Sequence, residues 1–103
     1  MVGTDETFGP GKAKLLGLIA ATGSIRSAAV RMGMSYNRAW TLVRHMNGFF
    51  REPLVESVRG GKAGGGAALT ATGRKVLGLY DRMERSCRQS TRAAGQSLRR
   101  LLR

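Results

Sequence analysis

Six polar side chains recur on a short stretch that reads as one helix: Ser35, Tyr36, Asn37, Arg38, Thr41 and Arg44. The chemistry open to them is hydrogen bonding to base edges rather than bond breaking. Asn37 can fork onto adenine N6 and N7, and Arg38 or Arg44 onto guanine O6 and N7. Tyr36 can meet a thymine methyl or donate to a phosphate, and phosphate is the commoner partner of any one polar side chain at such a surface. Nothing else in the chain rivals this group as a reactive centre. His45, the only histidine, reads as a polar group on a helix surface. Asp81 and Glu84 stand one turn apart beside Arg82 and Arg85 and read as surface ion pairs. Cys87, the only cysteine, has no partner at zinc-ligand spacing and reads as a small buried residue. Neither a catalytic nor a metal site is expected, and the chain is not read as an enzyme.

The elements that would hold those six side chains follow from residues 24–46. Two short helices crossing at a tight turn need a small residue at the crossing, and Ala29 is there. Four positions on, Gly33 has no Cβ to penalise a left-handed turn. Ala28, Met32, Met34, Ala39 and Leu42 are apolar where the pair needs a core. Ser35 can cap the second helix by accepting from an orphan N–H of its first turn. This is the spacing of a helix-turn-helix, whose second helix enters the major groove by its N-terminal residues. Ser24, Arg26 and Ser27 open the first helix of the pair and are expected on the phosphate backbone, although Ser24 also reads as a plain N-cap. Trp40 is the only tryptophan and, on a helix that must bury one face, is expected mainly in the core.

Charge favours a polyanionic partner. Eighteen basic and six acidic side chains leave +12 on 103 residues. The excess is uneven: residues 1–50 carry six basic and two acidic groups, and residues 51–103 carry twelve and four. Residues 85–103 hold six arginines and no acid. The length suits one small domain. One cysteine excludes an internal disulfide and fits a reducing cytoplasm, and no apolar run approaches the roughly 20 residues of a membrane span. The expectation is a cytoplasmic protein with no membrane partner.

Along the chain, residues 1–9 are expected to be disordered. Pro10 opens a first helix running to about Thr22, with Leu15, Leu18 and Ile19 inward and Gly23 as its stop. The recognition helix is expected to continue through Val43, Met46 and Phe50 to Glu52-Pro53, where the residue before proline leaves the helical region. Residues 54–58 then read as a strand, residues 59–66 (RGGKAGGG) as a hairpin tip and residues 67–69 as the return strand. Thr70 caps a last helix reaching about Leu102. The expected fold is mainly α with a small β-hairpin: a winged helix-turn-helix over residues 10–70, then a long C-terminal dimerisation helix with a basic end over residues 71–103. Val76, Tyr80, Met83 and Cys87 alternate steps of four and three, a heptad seam on which a homodimer would form. Ser90, Ala94, Ser97 and Leu101 continue it. In the wing, Arg59 and Lys62 bring charge while Gly60 and Gly61 let backbone N–H groups approach phosphates or the minor groove. A mobile hairpin tip is the plainer reading of that loop.

Gly23-Ser24-Ile25, Met34-Ser35-Tyr36 with Arg38-Ala39-Trp40, Leu54-Val55-Glu56 and the glycine-rich run at 60–67 followed by Leu69-Thr70 together resemble the N-terminal DNA-binding domain of the molybdate-responsive ModE regulators. The related LysR-type regulators share the helix-turn-helix and an E-P-L strand entry, here Glu52-Pro53-Leu54, but not that wing. The resemblance implies binding of double-stranded DNA and control of molybdenum-related genes. Full-length members also carry oxyanion-binding domains for molybdate or tungstate. None is expected within these residues, so no cofactor is expected either. Either a stand-alone member or a fragment fits, and the charged helix running to Arg103 leans towards a complete short protein.

The resulting expectation is a homodimeric regulator, in the first instance a repressor, reading an inverted repeat. Two alternatives remain at this level: a nucleoid-type protein binding DNA without sequence preference, and a module acting on anionic membranes or proteins through its arginine-rich C-terminal helix.

Overall fold

A computed structural model describes residues 8–58 and 66–102. Its elements run α1 (Pro10–Thr22), α2 (Ile25–Met32), α3 (Tyr36–Phe49), β1 (Val55–Val58), β2 (Gly66–Leu69), α4 (Ala71–Ser90) and α5 (Arg92–Arg100). This is the mainly α arrangement with a two-stranded hairpin that the residue pattern predicts. Gly23 and Gly33 close α1 and α2 at φ 71° and 69°, where an L side chain is strained. The Gly33 N–H accordingly returns to the carbonyls of the finished helix, and Met34 N donates to Ala29 O at 3.0 Å.

Leu15, Leu16, Ile19, Val43, Met46 and Leu54 are fully buried between α1, α3 and the strand entry, with Ala28, Ala29 and Ala39 at the close helix crossings. Phe8 corrects the expectation of a disordered segment through residue 9. It is buried, its ring edge-on to Phe50 (5.8 Å between centroids) and to Tyr80 (5.3 Å). Residues 1–7 lie outside the described residues. The same aromatic cluster makes α3 shorter than expected. Phe50 takes an extended backbone (φ −99°, ψ 167°) to place its ring against Phe8, so α3 stops before Glu52-Pro53 is reached.

The hairpin pairs Val55 with Leu69 and Val58 with Gly66, antiparallel, with Val55, Ala67 and Leu69 inward. Three joints set its position. The Asn47 side chain accepts from Leu54 N (2.8 Å) and Val55 N (3.1 Å) and donates to Val55 O (3.0 Å), binding β1 to α3. Ala67 N donates to Gly23 O at 3.0 Å, and a Cβ on Gly66 would strike that carbonyl, so β2 lies against the α1–α2 turn. Thr70 caps α4 by accepting from Gly73 N, while donating from its hydroxyl to Pro53 O and from its N–H to Leu54 O. Gly73 is required there because a Cβ would run into the Leu54 carbonyl.

Two expectations about the C-terminal region change. The last helix breaks at Thr91, whose hydroxyl bonds Cys87 O at 2.8 Å while Ser90 Oγ bonds the same carbonyl at 3.0 Å. Hydroxyls that take a helical carbonyl in this way bend the helix. The heptad seam also divides. Val76 and Tyr80 pack on the chain's own core, and burial, with Glu84 adding a smaller effect, raises the Tyr80 phenol above its ordinary pKa. Met83 and Cys87 are exposed, so nothing within the single chain buries Cys87. Among the described residues no helix is long and apolar enough to cross a membrane.

Asn47→Ala would leave two strand-entry N–H groups and a carbonyl without their partner. We expect a loss of about 1–3 kcal/mol, read as a lower urea midpoint at unchanged slope.

Candidate nucleic-acid interface

The two helix starts are built alike. Ser24 Oγ accepts from Ser27 N and Ser35 Oγ from Arg38 N, each at 3.0 Å. A short hydroxyl acceptor at each N-cap satisfies one of the orphan donors left by the first turn. Ser24 and Ser35 therefore act as caps, with their hydroxyl protons free to donate outward.

Around the axis of α3 the residues divide by face. Ala39, Leu42, Val43 and Met46 are buried. At about 100° per residue, Tyr36, Asn37, Trp40, Thr41 and Arg44 gather on roughly the opposite side. Asn37, Trp40, Thr41 and Arg44 line a shallow depression of about 540 Å³ there. Arg44 lies near the middle of that face, whereas Arg38 lies about 130° from it, on the flank. His45 is exposed, and so are Asp81 and Glu84, which form no ion pair with Arg82 or Arg85.

Trp40 corrects the expectation of a core residue. It is 36% exposed, and its indole N–H donates to Tyr36 Oη at 2.7 Å. The Tyr36 ring in turn carries the Arg26 guanidinium 4.6 Å above its centroid. Arg26 from α2, Tyr36 and Trp40 thus form one connected surface across the helix pair. Accepting from the indole leaves the Tyr36 hydroxyl proton to point outward. Thr41 donates to Asn37 O at 2.9 Å, so its methyl and oxygen lone pairs are what it offers a ligand. The signal for Trp40 was present in the spacing: it sits four residues after Tyr36 and between Asn37 and Arg44, on the polar side of the wheel.

Charge along the three helices is of one sign. No acidic residue occurs from 7 to 51, a stretch that includes all of α1, α2 and α3. No helix carries an acid in its first turn, so the partial positive charge of each N-terminus is left uncompensated. The expected wing residues Arg59, Gly60, Gly61 and Lys62 lie outside the described residues. The foot of their hairpin is described, and its contact with Gly23 sets it beside the start of α2, next to Ser24. Among the described residues no three His, Cys, Asp or Glu side chains gather as a metal site would require.

Comparison with known proteins finds homologues among ModE regulators and molybdenum-pterin-binding Mop proteins. The chain is 43% identical over 81 residues to the molybdenum-pterin-binding protein MopB of Rhodobacter capsulatus, covering 79% of this chain and 30% of that protein. It is 44% identical over 72 residues to the DNA-binding transcriptional dual regulator ModE of Escherichia coli K12, covering 70% and 28%. The transcriptional regulator ModE of Haemophilus influenzae is 43% identical over 77 residues, covering 75% and 30%. The chain therefore spans less than a third of the length of these relatives. No protein-family profile matches it.

Tyr36→Phe removes the acceptor of the single indole N–H. Its proton resonance should shift and its exchange with water quicken, while global stability changes by less than about 1 kcal/mol because the bond is exposed. A resonance that does not move would count against the contact.

Proposed function

We propose that this chain, homologous to the ModE-type proteins over 70–79% of its length, binds double-stranded DNA and regulates transcription. The observation that carries the reading is the exposed face of α3. It sets an amide, a guanidinium, a threonine and two aromatic rings together, on helices that carry no carboxylate. In this reading α3 lies in the major groove. Asn37 and Arg44 read adenine and guanine edges, and the Thr41 methyl meets thymine. Trp40 and Tyr36 form an apolar wall against sugars or thymine methyls. Arg26, Ser24 and Ser27 hold phosphates, as does Arg38 from its flanking position, and the wing residues Arg59 and Lys62 reach the neighbouring groove.

The protein acts as a homodimer on an inverted repeat, its two α3 helices about 34 Å apart. Support comes from the distal half of the seam, where Met83 is 67% exposed with Cys87 open beside it, and from Leu79, outside the seam on the same helix, at 44%. A second copy would cover them. Repression by occupying a promoter is the simplest output of such a dimer. A relative in Azotobacter vinelandii is named a molybdenum transport protein, which supports molybdenum-related genes as the targets. The charge of +12 also favours a second reading, a packaging protein indifferent to sequence.

Fluorescence anisotropy on a palindromic operator and a scrambled duplex, across a salt series, separates the two readings. A gap that persists as salt rises means base readout, and coincident curves mean counterion release alone. Arg44→Ala should cost about 1–3 kcal/mol on the preferred sequence and little on the scramble. Arg38→Ala should weaken both duplexes alike. The emission of Trp40, the only tryptophan, should follow the same titration.

For the dimer, sedimentation velocity at micromolar concentration should show two copies, and Met83→Asp should return one. A wild-type monomer under those conditions would end the dimer reading.

A further inference from the structure

The break at Thr91 has a concave side. Arg85, Arg88, Gln89, Thr91, Arg92, Gly95 and Arg99 line a groove of about 510 Å³ where α4 meets α5. Positions 85, 88, 92, 95 and 99 step by three and four residues, so they form one stripe along the bent helix. Four of them are arginine. The fifth, Gly95, supplies no side chain, and a Cβ built on it would meet nothing within 4 Å. The stripe is therefore a row of guanidiniums around an open gap. No acidic side chain occurs from 85 to 103. Asp81 and Glu84, one turn before Arg85 and Arg88, form no ion pair with them, and α5 buries no residue of its own. Like charges lining one concavity repel unless an anion enters, and guanidiniums are suited to phosphate by their forked donors.

We propose that this groove grips the sugar–phosphate backbone of duplex DNA outside the stretch that α3 reads. The inference rests on the DNA-binding reading and extends it to a second contact zone. A duplex fits this groove better than a lipid surface because every side chain lining it is polar or charged, whereas a membrane-bound helix inserts an apolar face. The exposed apolar residues on and just after α5, Leu98, Leu101 and Leu102, are not among those that line the groove. The stripe from 85 to 99 is about 21 Å long at 1.5 Å per residue, which matches a run of phosphates rather than a single one. The molecule itself measures 54 × 30 × 23 Å, longer than one turn of B-DNA at about 34 Å.

The test is a salt series on a random-sequence duplex with the full chain and its Arg88→Gln/Arg92→Gln/Arg99→Gln variant. Each lost phosphate contact lowers the slope of log K against log salt by about 0.9, so the variant should lose about two to three per bound chain. Its loss of affinity should be equal on operator and scrambled duplexes. A second variant, Gly95→Glu, places a carboxylate among the arginines and replaces a helix-weakening glycine. It should melt higher yet bind DNA more weakly, a divergence that a purely structural role for the stripe would not produce. An unchanged salt slope in a triple variant with wild-type circular dichroism would overturn the proposal. So would loss of binding to phosphatidylglycerol vesicles with DNA affinity intact, which would make the groove a lipid site. Because the duplex is random, a failure of base readout appears as coincident operator and scramble curves and leaves the slope result standing on its own.

Discussion

One side-chain amide holds the parts of this molecule in register. Asn47 sits near the end of α3 and spends both its oxygen and its NH2 group on the backbone of Leu54 and Val55. A two-stranded hairpin is marginal by itself, and this one has a single inward face of Val55, Ala67 and Leu69. Tied through Asn47, its first strand cannot slide against α3. Its second strand is fixed in turn by the Gly23 carbonyl, and Thr70 and Gly73 fix α4 against Pro53 and Leu54. The hairpin, α3 and α4 thus refer to one short segment between residues 47 and 55.

The surface that results gives up electrostatic comfort. A chain of 103 residues carrying +12 repels itself, and the acid-free stretch from 7 to 51 leaves the cations of the helix-turn-helix without a counter-charge of their own. Aromatic groups take over part of the role that carboxylates would play. The Arg26 guanidinium lies over the Tyr36 ring, and the Tyr36 hydroxyl holds the Trp40 indole. A cation placed on a ring is organised without being neutralised, which keeps both its charge and its donors available to a ligand. The same economy recurs at the elbow, where arginines surround a glycine and no acid faces them.

Where the residue pattern and the structure part, burial is the cause. Phe8 lies in a segment whose composition reads as disordered, yet a single large ring was enough to recruit it between Phe50 and Tyr80. That recruitment also decided where α3 stops, ahead of the proline that marks the boundary in the sequence. The heptad spacing of Val76, Tyr80, Met83 and Cys87 is real, but only half of it is open to a partner. The near half is used by the chain's own core and the far half stands exposed. Periodicity shows that a face is apolar and is silent on which body covers it.

What the sequence by itself determined was everything governed within about four residues. Glycine at 23 and 33 set the left-handed helix ends, serine at 24 and 35 and threonine at 70 set the caps, and proline at 10 set the first helical turn. These are steric and hydrogen-bonding effects between near neighbours, so no distant contact can reassign them cheaply. The polar set on α3 was legible for the same reason, because helical spacing places its members on adjoining faces. Tertiary structure decided the rest. Trp40 lies at the surface beside Tyr36 because alanine, leucine, valine and methionine already fill the inner face of α3. Asn47 bonds residues seven and eight positions away, across a chain reversal that spacing alone does not reveal. Such outcomes are settled by competition for a limited interior, and that competition exists only once the whole chain has folded.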